Sequence, residues 1–303
     1  MTTAATPRAP PGSRRAILAV LVSSVLFGAS TPLARALVGT MDPLWLAGAL
    51  YAGSGLALSA WLLVRRRRAE APPLIARKDV RWLAAAIACG GILAPVAFAF
   101  GLRASTGATA SLLLNLESVF TVALAWFLFG EHRNARVISG MALIVIGCAL
   151  LGGGDSPAAA TWQGAALIAG ACLLWALDNN LTRKVAGNDA VAIAAAKGVA
   201  GGAVNLALAA LVAGAPPAAS TLVATGAVGL AGYGISLVLF VVGMRGLGAA
   251  RASAYYALAP FIGVAVAFLV LGEAAPAAFW PALALMSAGV WLHLTERRAG
   301  HAH

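Results

Sequence analysis

The chain has 303 residues, of which 61% are hydrophobic and only 10% are charged, whereas soluble globular proteins average about 45–50% apolar and about 25% charged residues. A mean hydropathy of +0.89 over the whole length exceeds what one buried core requires and indicates an integral membrane protein. The net charge of +11 lies in short segments between apolar blocks, a pattern typical of membrane loops rather than of a nucleic-acid interface.

Ten apolar runs are long enough to cross a bilayer, since a helix of about 20 residues reaches about 30 Å. In chain order the predicted spans are Ala16–Val38, Leu44–Val64, Trp82–Leu102, Thr106–Phe129, Ala135–Gly153, Trp162–Thr182, Ala190–Ala213, Thr221–Gly243, Ala252–Leu271 and Ala277–Thr295. Most links are short, and the longer segment Arg65–Arg81 carries prolines and basic residues typical of a surface loop. We therefore expect an all-α integral membrane fold with ten transmembrane helices.

The basic residues predict how these helices cross the membrane. With the N-terminus in the cytoplasm, 18 of the 21 Lys and Arg residues fall in cytoplasmic segments, as expected because positive charge resists translocation. Arg103 is alone in the outer loops, whereas Arg35 and Lys197 lie within spans. We expect both termini in the cytoplasm and, from the Ala- and Arg-rich composition, a location in the bacterial inner (plasma) membrane.

The two halves of the chain are related by a sequence repeat. After a shift of 142 residues, Gly101–Glu131 matches the second half at 11 of 31 positions, against about three or four matches expected by chance. A shift of 148 residues places Leu33 and Arg35 on Leu181 and Arg183. Each half has five spans, an odd number, so the second half enters the membrane upside down, as in many secondary transporters. The alternative is a duplicated scaffold without transport function.

The repeat divides the chain into five expected segments. They are a cytoplasmic tail (1–15), the first five-helix repeat (16–153), a linker (154–161), the second five-helix repeat (162–295) and a second cytoplasmic tail (296–303). The two repeats are therefore expected to form two inverted halves of one transmembrane unit.

Several short segments resemble a known family. They are Asn115-Leu-Glu117-Ser118, Leu128-Phe-Gly130-Glu131, Ala257-Leu-Ala-Pro260, Val270-Leu-Gly272-Glu273, Trp175–Arg183 and Pro95–Gly101. On these residues the chain resembles the drug/metabolite transporter superfamily, specifically its ten-span members with two EamA repeats. Ser118 stands where the family's fourth helix commonly has proline, while Pro260 keeps the proline in the ninth helix. The resemblance implies a carrier of small metabolites, amino acids or toxic compounds, frequently an exporter.

Glu117 is the candidate coupling residue. It lies about 15 Å into the fourth span, near the midplane. Insertion of an ionisable side chain there costs about 2.5–3.5 kcal/mol, so such a residue is expected to have a function or a bonding partner. A carboxyl that alternates between its protonated and ionised forms would couple transport to protons. The alternative is a packing hydrogen bond to a neighbouring Asn or Ser.

A polar cluster late in the sixth span is the second candidate. Asp178, Asn179 and Asn180 are consecutive, and two adjacent Asn side chains cannot both face lipid cheaply. Lys197 lies about 12 Å into the seventh span, at a depth comparable to that of Asp178. We expect an Asp178–Lys197 ion pair, serving either as a gate or as a structural pair, and place all four residues on the substrate path.

Other polar and kinking residues complete the candidate site. The remaining substrate-path candidates are Asn115, Tyr233, Tyr255 and Tyr256. On a regular helix Asn115 and Glu117 point about 200° apart, so they share a cavity only if the helix is irregular. A tyrosine ring suits an amphipathic solute, although core packing is the favoured explanation for each tyrosine taken singly. Pro95 and Pro260 interrupt helices and are the candidate gating residues.

These observations favour a secondary active transporter that moves a small metabolite, amino acid or drug-like compound by alternating access, with export and proton coupling preferred. The alternatives are a passive facilitator, a membrane-embedded enzyme and a scaffold. The sequence has neither a phosphate-binding Gly-rich loop nor a nucleophile with a partner His. Its three cysteines lie in apolar blocks, so we expect no metal and no cofactor. The expected partners are the substrate, membrane lipid and protons, without nucleic acid, in a monomer or homodimer.

Overall fold

The computed structural model describes residues 11–66, 75–129, 135–151, 161–185, 187–247, 252 and 255–295, and its regular elements there are helices. In chain order these are α1 (Pro11–Val38), α2 (Pro43–Arg66), α3 (Val80–Ala86), α4 (Ala94–Arg103), α5 (Gly107–Leu113), α6 (Leu116–Phe129), α7 (Ala135–Leu151), α8 (Trp162–Val185), α9 (Ala190–Val212), α10 (Ala219–Gly229), α11 (Ser236–Leu247), α12 (Ala259–Leu271) and α13 (Phe279–Thr295). The predicted tails and linker, apart from a few of their residues, and the motif residues Gly130 and Glu131 lie outside the described residues.

The all-α membrane fold is confirmed. Seven helical segments are long and apolar enough to cross a bilayer. Three further apolar helices are shorter, Ala135–Leu151, Ala259–Leu271 and Phe279–Leu292, and these correspond to the fifth, ninth and tenth predicted spans. The largest cluster of buried apolar side chains draws on both halves, for example Phe98 and Leu112 in the first and Ile168 and Phe279 in the second.

Contacts between helices repeat when the two halves are exchanged. Helix α1 packs on α11 and α12, and its counterpart α8 packs on α4 and α6, while α2 packs on its own counterpart α9, and α7 on α13. At residue level, Gly101 lies against Ile168 and Gly243 lies against Val20. These two contacts are related by the shifts of 142 and 148 residues found in the sequence. The inverted repeat therefore extends to close helix packing.

The two ends of the bundle differ in charge. At the amino-terminal face, where α1 begins, α2 and α8 end and α3 and α9 begin, the described basic residues are Arg14, Arg15, Arg65, Arg77, Lys78, Arg81, Arg136, Arg183 and Lys184. At the opposite face they are Arg35 and Arg103. The Arg35 guanidinium, which lies near the end of the first span, donates to the backbone carbonyl of Ser105.

The third and eighth spans each contain a wider, π-helical turn that the sequence analysis did not predict. Ile87–Leu93 joins α3 to α4, and Leu230–Ile235 joins α10 to α11. In the first of these turns the N–H of Ala94 donates to the carbonyl of Cys89, five residues back. Pro95 follows and has no N–H, so the carbonyls of Gly90 and Gly91 cannot pair with it in either helical register.

Side chains from other helices bind these two carbonyls. Tyr51 Oη donates to Gly90 O over 2.7 Å and Trp175 Nε1 donates to the same oxygen over 3.2 Å. Asn205 Nδ2 donates to Gly91 O over 3.3 Å. Because lipid offers no hydrogen-bond partner, these side chains are what allows the irregular turn at membrane depth.

Asn205→Ala is expected to lower the free energy of unfolding by about 1–3 kcal/mol, because it leaves a buried carbonyl unpaired. In a Pro95→Ala background the same substitution should cost about 1 kcal/mol less, since residue 95 regains an N–H that can reach Gly91 O. Unfolding of the four proteins in detergent, followed by tryptophan fluorescence, measures this coupling. Strictly additive losses of unfolding free energy would contradict the assignment of Asn205 as the partner of Gly91 O.

Polar contacts tie the two halves together at the amino-terminal face. Asp189 caps α9, accepting from the N–H groups of Val191 and Ala192, and pairs with Arg65 at the end of α2. Partial burial of the Asp189 carboxylate opposes its ionisation, but the hydrogen bonds from Arg65 and from these two amides outweigh it and lower its pKa. In the adjacent loop, Asn188 accepts from the Ala76 N–H over 2.8 Å.

Because the pKa of Asp189 is lower in the folded chain than in the unfolded one, its contribution to stability is present at neutral pH and is lost as the pH falls through the folded pKa. Asp189→Asn keeps a capping oxygen but removes the charge, so it should weaken the acid dependence of stability. Asp189→Ala should cost about 1 kcal/mol more by removing the cap. Melting temperatures in detergent from pH 7 to pH 3 test both; equal acid sensitivity in wild type and Asp189→Asn would refute the expectation.

Candidate functional site

The fourth span is interrupted at Leu114 and Asn115, between α5 and α6. Backbone bonds across the interruption join residues three apart: Asn115 donates to Leu112 over 3.0 Å, Glu117 to Leu114 over 3.1 Å and Ser118 to Asn115 over 3.2 Å. Asn115 Nδ2 also donates to Leu112 O over 2.8 Å, and Ser118 Oγ donates to Asn115 O over 2.7 Å. Local polar side chains thus bind the backbone at the interruption, and one of them, Ser118, stands where the resembled family commonly has proline.

A second interruption lies at the equivalent place in the ninth span. Ala257 and Leu258 form a turn before α12, and Pro260 stands in the first turn of that helix, where its missing N–H leaves no bond unmade. The shift of 142 residues relates Asn115 to Ala257. A closed cleft, too narrow to admit a water molecule, lies between α1 and the two interruptions, and the residues that line it include Phe27, Thr31, Ser111, Leu114 and Pro260.

Glu117 is the second residue of α6, just after the first interruption. Its side chain is half-buried, and its Oε1 accepts a hydrogen bond of 2.7 Å from Asn179 Nδ2 on α8. The amide is a neutral partner, so an ionised Glu117 has no formal countercharge from it. Two predicted site residues from different spans are therefore in direct contact.

The predicted ion pair between Asp178 and Lys197 is present. Lys197 Nζ lies 2.7 Å from Asp178 Oδ2 and 2.6 Å from Oδ1, and the two side chains are only 14% and 8% exposed. Thr182 Oγ1 donates to Asp178 Oδ1 over 3.0 Å and accepts from Lys197 Nζ over 3.1 Å. The Asp178 carboxylate packs directly on Gly90, where a Cβ would collide with it. The pair thus lies against the π-helical turn of the third span.

The symmetry of the fold does not extend to these charges. Gly232, the counterpart of Gly90 in the eighth span, packs on Ser30, which is the counterpart of Asp178. Glu117 itself corresponds to Ala259 after the shift of 142 residues. The helix framework is duplicated, whereas each of these two acidic groups has no acidic counterpart, Glu117 of the first repeat and Asp178 of the second.

Aromatic rings connect the two halves beside this polar cluster. Ring centroids are 5.5 Å apart for Tyr51 and Tyr233, 5.9 Å for Phe27 and Tyr233, 5.5 Å for Phe27 and Tyr256, and 4.6 Å for Phe240 and Tyr256. These separations are normal for packed aromatic pairs. The series joins the second, eighth, first and ninth spans through their centre.

Not all predicted residues meet at one place. Tyr233 and Tyr256 belong to the aromatic series, whereas only the backbone carbonyl of Tyr255 has a described hydrogen bond, from Ser24 Oγ over 3.2 Å. Asn180 Nδ2 donates to the carbonyl of Ala176 over 2.9 Å on its own helix and to the carbonyl of Thr121 on α6 over 3.4 Å. Asn115 is bound locally at the interruption, and Pro95 and Pro260 each stand in the first turn of a helix.

The sequence analysis missed four residues of this region: Phe27, Tyr51, Trp175 and Thr182. Tyr51 is the single tyrosine of the first half, which is a signal that could have drawn attention to it. Thr182 is four residues after Asp178, one helical turn away, and so could have been predicted as its neighbour. Phe27 carries no local signal in such an apolar sequence, whereas Trp175 is the first residue of the segment Trp175–Arg183 that resembles the family.

We expect Asp178→Ala and Lys197→Ala each to lower the free energy of unfolding by about 3–5 kcal/mol, because either change leaves a buried charge without its partner. The double variant should recover much of this loss if the pair is structural. Thermal unfolding in detergent and yield of monodisperse protein measure both effects. Single variants that fold as well as wild type but do not transport would instead identify a gate.

Comparison with known proteins decides the family. A sequence profile of the EamA-like transporter family matches residues 14–153 and again residues 162–295. The chain belongs to this family. It is 26% identical over 272 residues to an "Uncharacterized transporter" of Methanothermobacter thermautotrophicus (strain Delta H), covering 84% of this chain and 79% of that relative.

The resemblance expected from the sequence motifs is thereby confirmed, and the protein is a multi-pass membrane transporter. A solved crystal structure superposes with a TM-score of 0.66, covering 94% of this chain and 99% of the other at 22% identity. At that identity the similarity concerns the fold alone. Within the described residues, no group of three or more His, Cys, Asp or Glu side chains is placed to hold a metal ion.

Proposed function

We propose that this EamA-family protein is a secondary active transporter that exports a small metabolite, amino acid or drug-like compound by alternating access, coupled to protons through Glu117. The observation that carries the proposal is the environment of that carboxyl. It lies at a helix interruption near mid-depth and accepts a hydrogen bond from a neutral amide, Asn179.

The neighbouring charges make this carboxyl the one able to change its charge. Lys197 is bound to Asp178, so these two side chains neutralise each other. An ionised Glu117 therefore adds one net negative charge to the cluster, which is costly in a bilayer. Binding of a proton, or of a substrate group that compensates the charge, removes that cost. This exchange is the coupling we propose.

Two features of the framework support alternating access. The fourth and ninth spans are interrupted at equivalent positions, and interrupted helices in inverted repeats commonly border the binding sites of secondary transporters. The concentration of basic residues at the amino-terminal face supports an orientation with both termini in the cytoplasm. Together they favour a central site that faces each side of the inner membrane in turn.

Glu117→Gln tests the coupling, since glutamine cannot release a proton. In proteoliposomes with an imposed pH gradient and a panel of amino acids and metabolites, we expect gradient-driven flux to fall to the level of protein-free vesicles. Asp42→Asn is the matched control, because its carboxylate accepts the Leu44 N–H in a loop outside the spans; it should retain flux. Size-exclusion profiles verify that both variants fold.

A passive facilitator would behave differently in the same assay. Its flux would follow the substrate gradient alone, ignoring both the pH gradient and the Glu117→Gln substitution. In that event Glu117 would be a packing residue that holds α6 to α8 through Asn179.

A further inference from the structure

Glu273 forms a contact between the two repeats at the face opposite the amino-terminal face, called here the opposite face. Helix α12 ends at Gly272, whose φ of 63° is left-handed and suits glycine. The next residue, Glu273, accepts a hydrogen bond of 2.8 Å from the Gly107 N–H on Oε1 and one of 2.8 Å from the Ala108 N–H on Oε2. A carboxylate of the second repeat therefore caps the first turn of α5 in the first repeat.

The cap of α5 is divided between its own loop and the other repeat. Thr106 Oγ1 accepts from the Thr109 N–H over 3.1 Å, which leaves the two preceding N–H groups without an intrahelical partner. Glu273 binds both of them. Gly107 permits this approach, since a Cβ there would stand 3.1 Å from Glu273 Oε1 and 3.0 Å from Pro32. Such charge-assisted bonds are stronger than neutral ones.

Helix α5 is a separate, short rod between this contact and the candidate coupling residue. It has seven residues and so is about 10 Å long. One end is held by Glu273, and the other ends at the interruption that precedes Glu117. Along its length α5 packs on α1 and α12, and Ser111 lies against Gly263. A helix bounded in this way can move as one piece relative to α6.

We propose that Glu273 is the latch of the opposite face. Its two hydrogen bonds hold α5 against α12 while that face is closed, and they break when α5 moves away and opens the cleft beside Phe27 and Thr31. The latch rests on the proposed alternating access. Because the contact lies at the end of the helices and not at mid-depth, water can replace the broken bonds, which makes release reversible.

Accessibility of a cysteine in the cleft tests the latch directly. Ser111 and Thr31 line the cleft and are each 1% exposed, so Ser111→Cys and Thr31→Cys are reporters in a chain whose three native cysteines are replaced. Membrane vesicles are treated with an impermeant maleimide on each side in turn. Glu273→Gln should raise the labelling rate of both reporters from the opposite face about tenfold, as expected for weakening bonds to a charged group. Glu273→Ala should raise it further.

Asp42→Asn provides the matched control, because it removes a capping carboxylate at the same face that does not join the two repeats. Its labelling rates should equal those of the parent reporter. Unchanged labelling of both reporters in Glu273→Gln and Glu273→Ala would overturn the latch, as would an equal increase in Asp42→Asn.

Transport measurements separate the latch from the proposed function. If wild type shows gradient-driven flux but the Glu273 variants leave labelling unchanged, the latch is wrong and the function stands. If labelling rises as expected while wild type transports no compound under any gradient, the latch is supported and the proposed coupling fails. Thermal unfolding of each reporter variant confirms that labelling reports opening rather than loss of fold.

Discussion

The structure depends on one constraint: a backbone N–H or C=O at membrane depth must find its partner within the protein, because lipid offers none. Within the residues that the structure describes, four of the spans are not continuous α-helices, since the third and eighth contain π-helical turns and the fourth and ninth are interrupted. At the first π-helical turn, the carbonyls released by Pro95 are bound by Tyr51, Trp175 and Asn205 from three other spans. Irregularity in one helix thus determines which side chains its neighbours must carry.

The same constraint, applied to charge, organises the centre of the bundle. Asp178 and Lys197 are held as a pair with Thr182 and lie against the π-helical turn at Gly90, which has no side chain to block them. Glu117 is held by an amide instead. The proposed coupling through Glu117 rests on this arrangement, in which a neutralised ion pair lies beside a carboxyl bound by a neutral amide.

The packing of the helices is symmetric in this molecule, whereas its central acidic groups are not. Helix packing is duplicated down to the glycine contacts of Gly101 and Gly243, yet the acidic groups near the centre have Ser30 and Ala259 as their counterparts. The helix framework is therefore duplicated, whereas the proposed coupling group occurs once. Polar contacts between the repeats occur at both faces, through Asp189 and Arg65 at one and through Glu273 and Gly107 at the other.

The sequence alone determined the membrane environment, the approximate spans, the repeat and the family, because hydropathy, charge placement and self-similarity are properties of local sequence. It also placed Asp178 beside Lys197, since depth along antiparallel helices follows from residue count. Only the tertiary structure decided the π-helical turns, the contact of Glu117 with Asn179, the aromatic series through Phe27 and the cap of α5 by Glu273. Each of these depends on partners from distant parts of the chain. In a sequence so uniformly apolar, the pattern around a residue does not reveal which helix will face it.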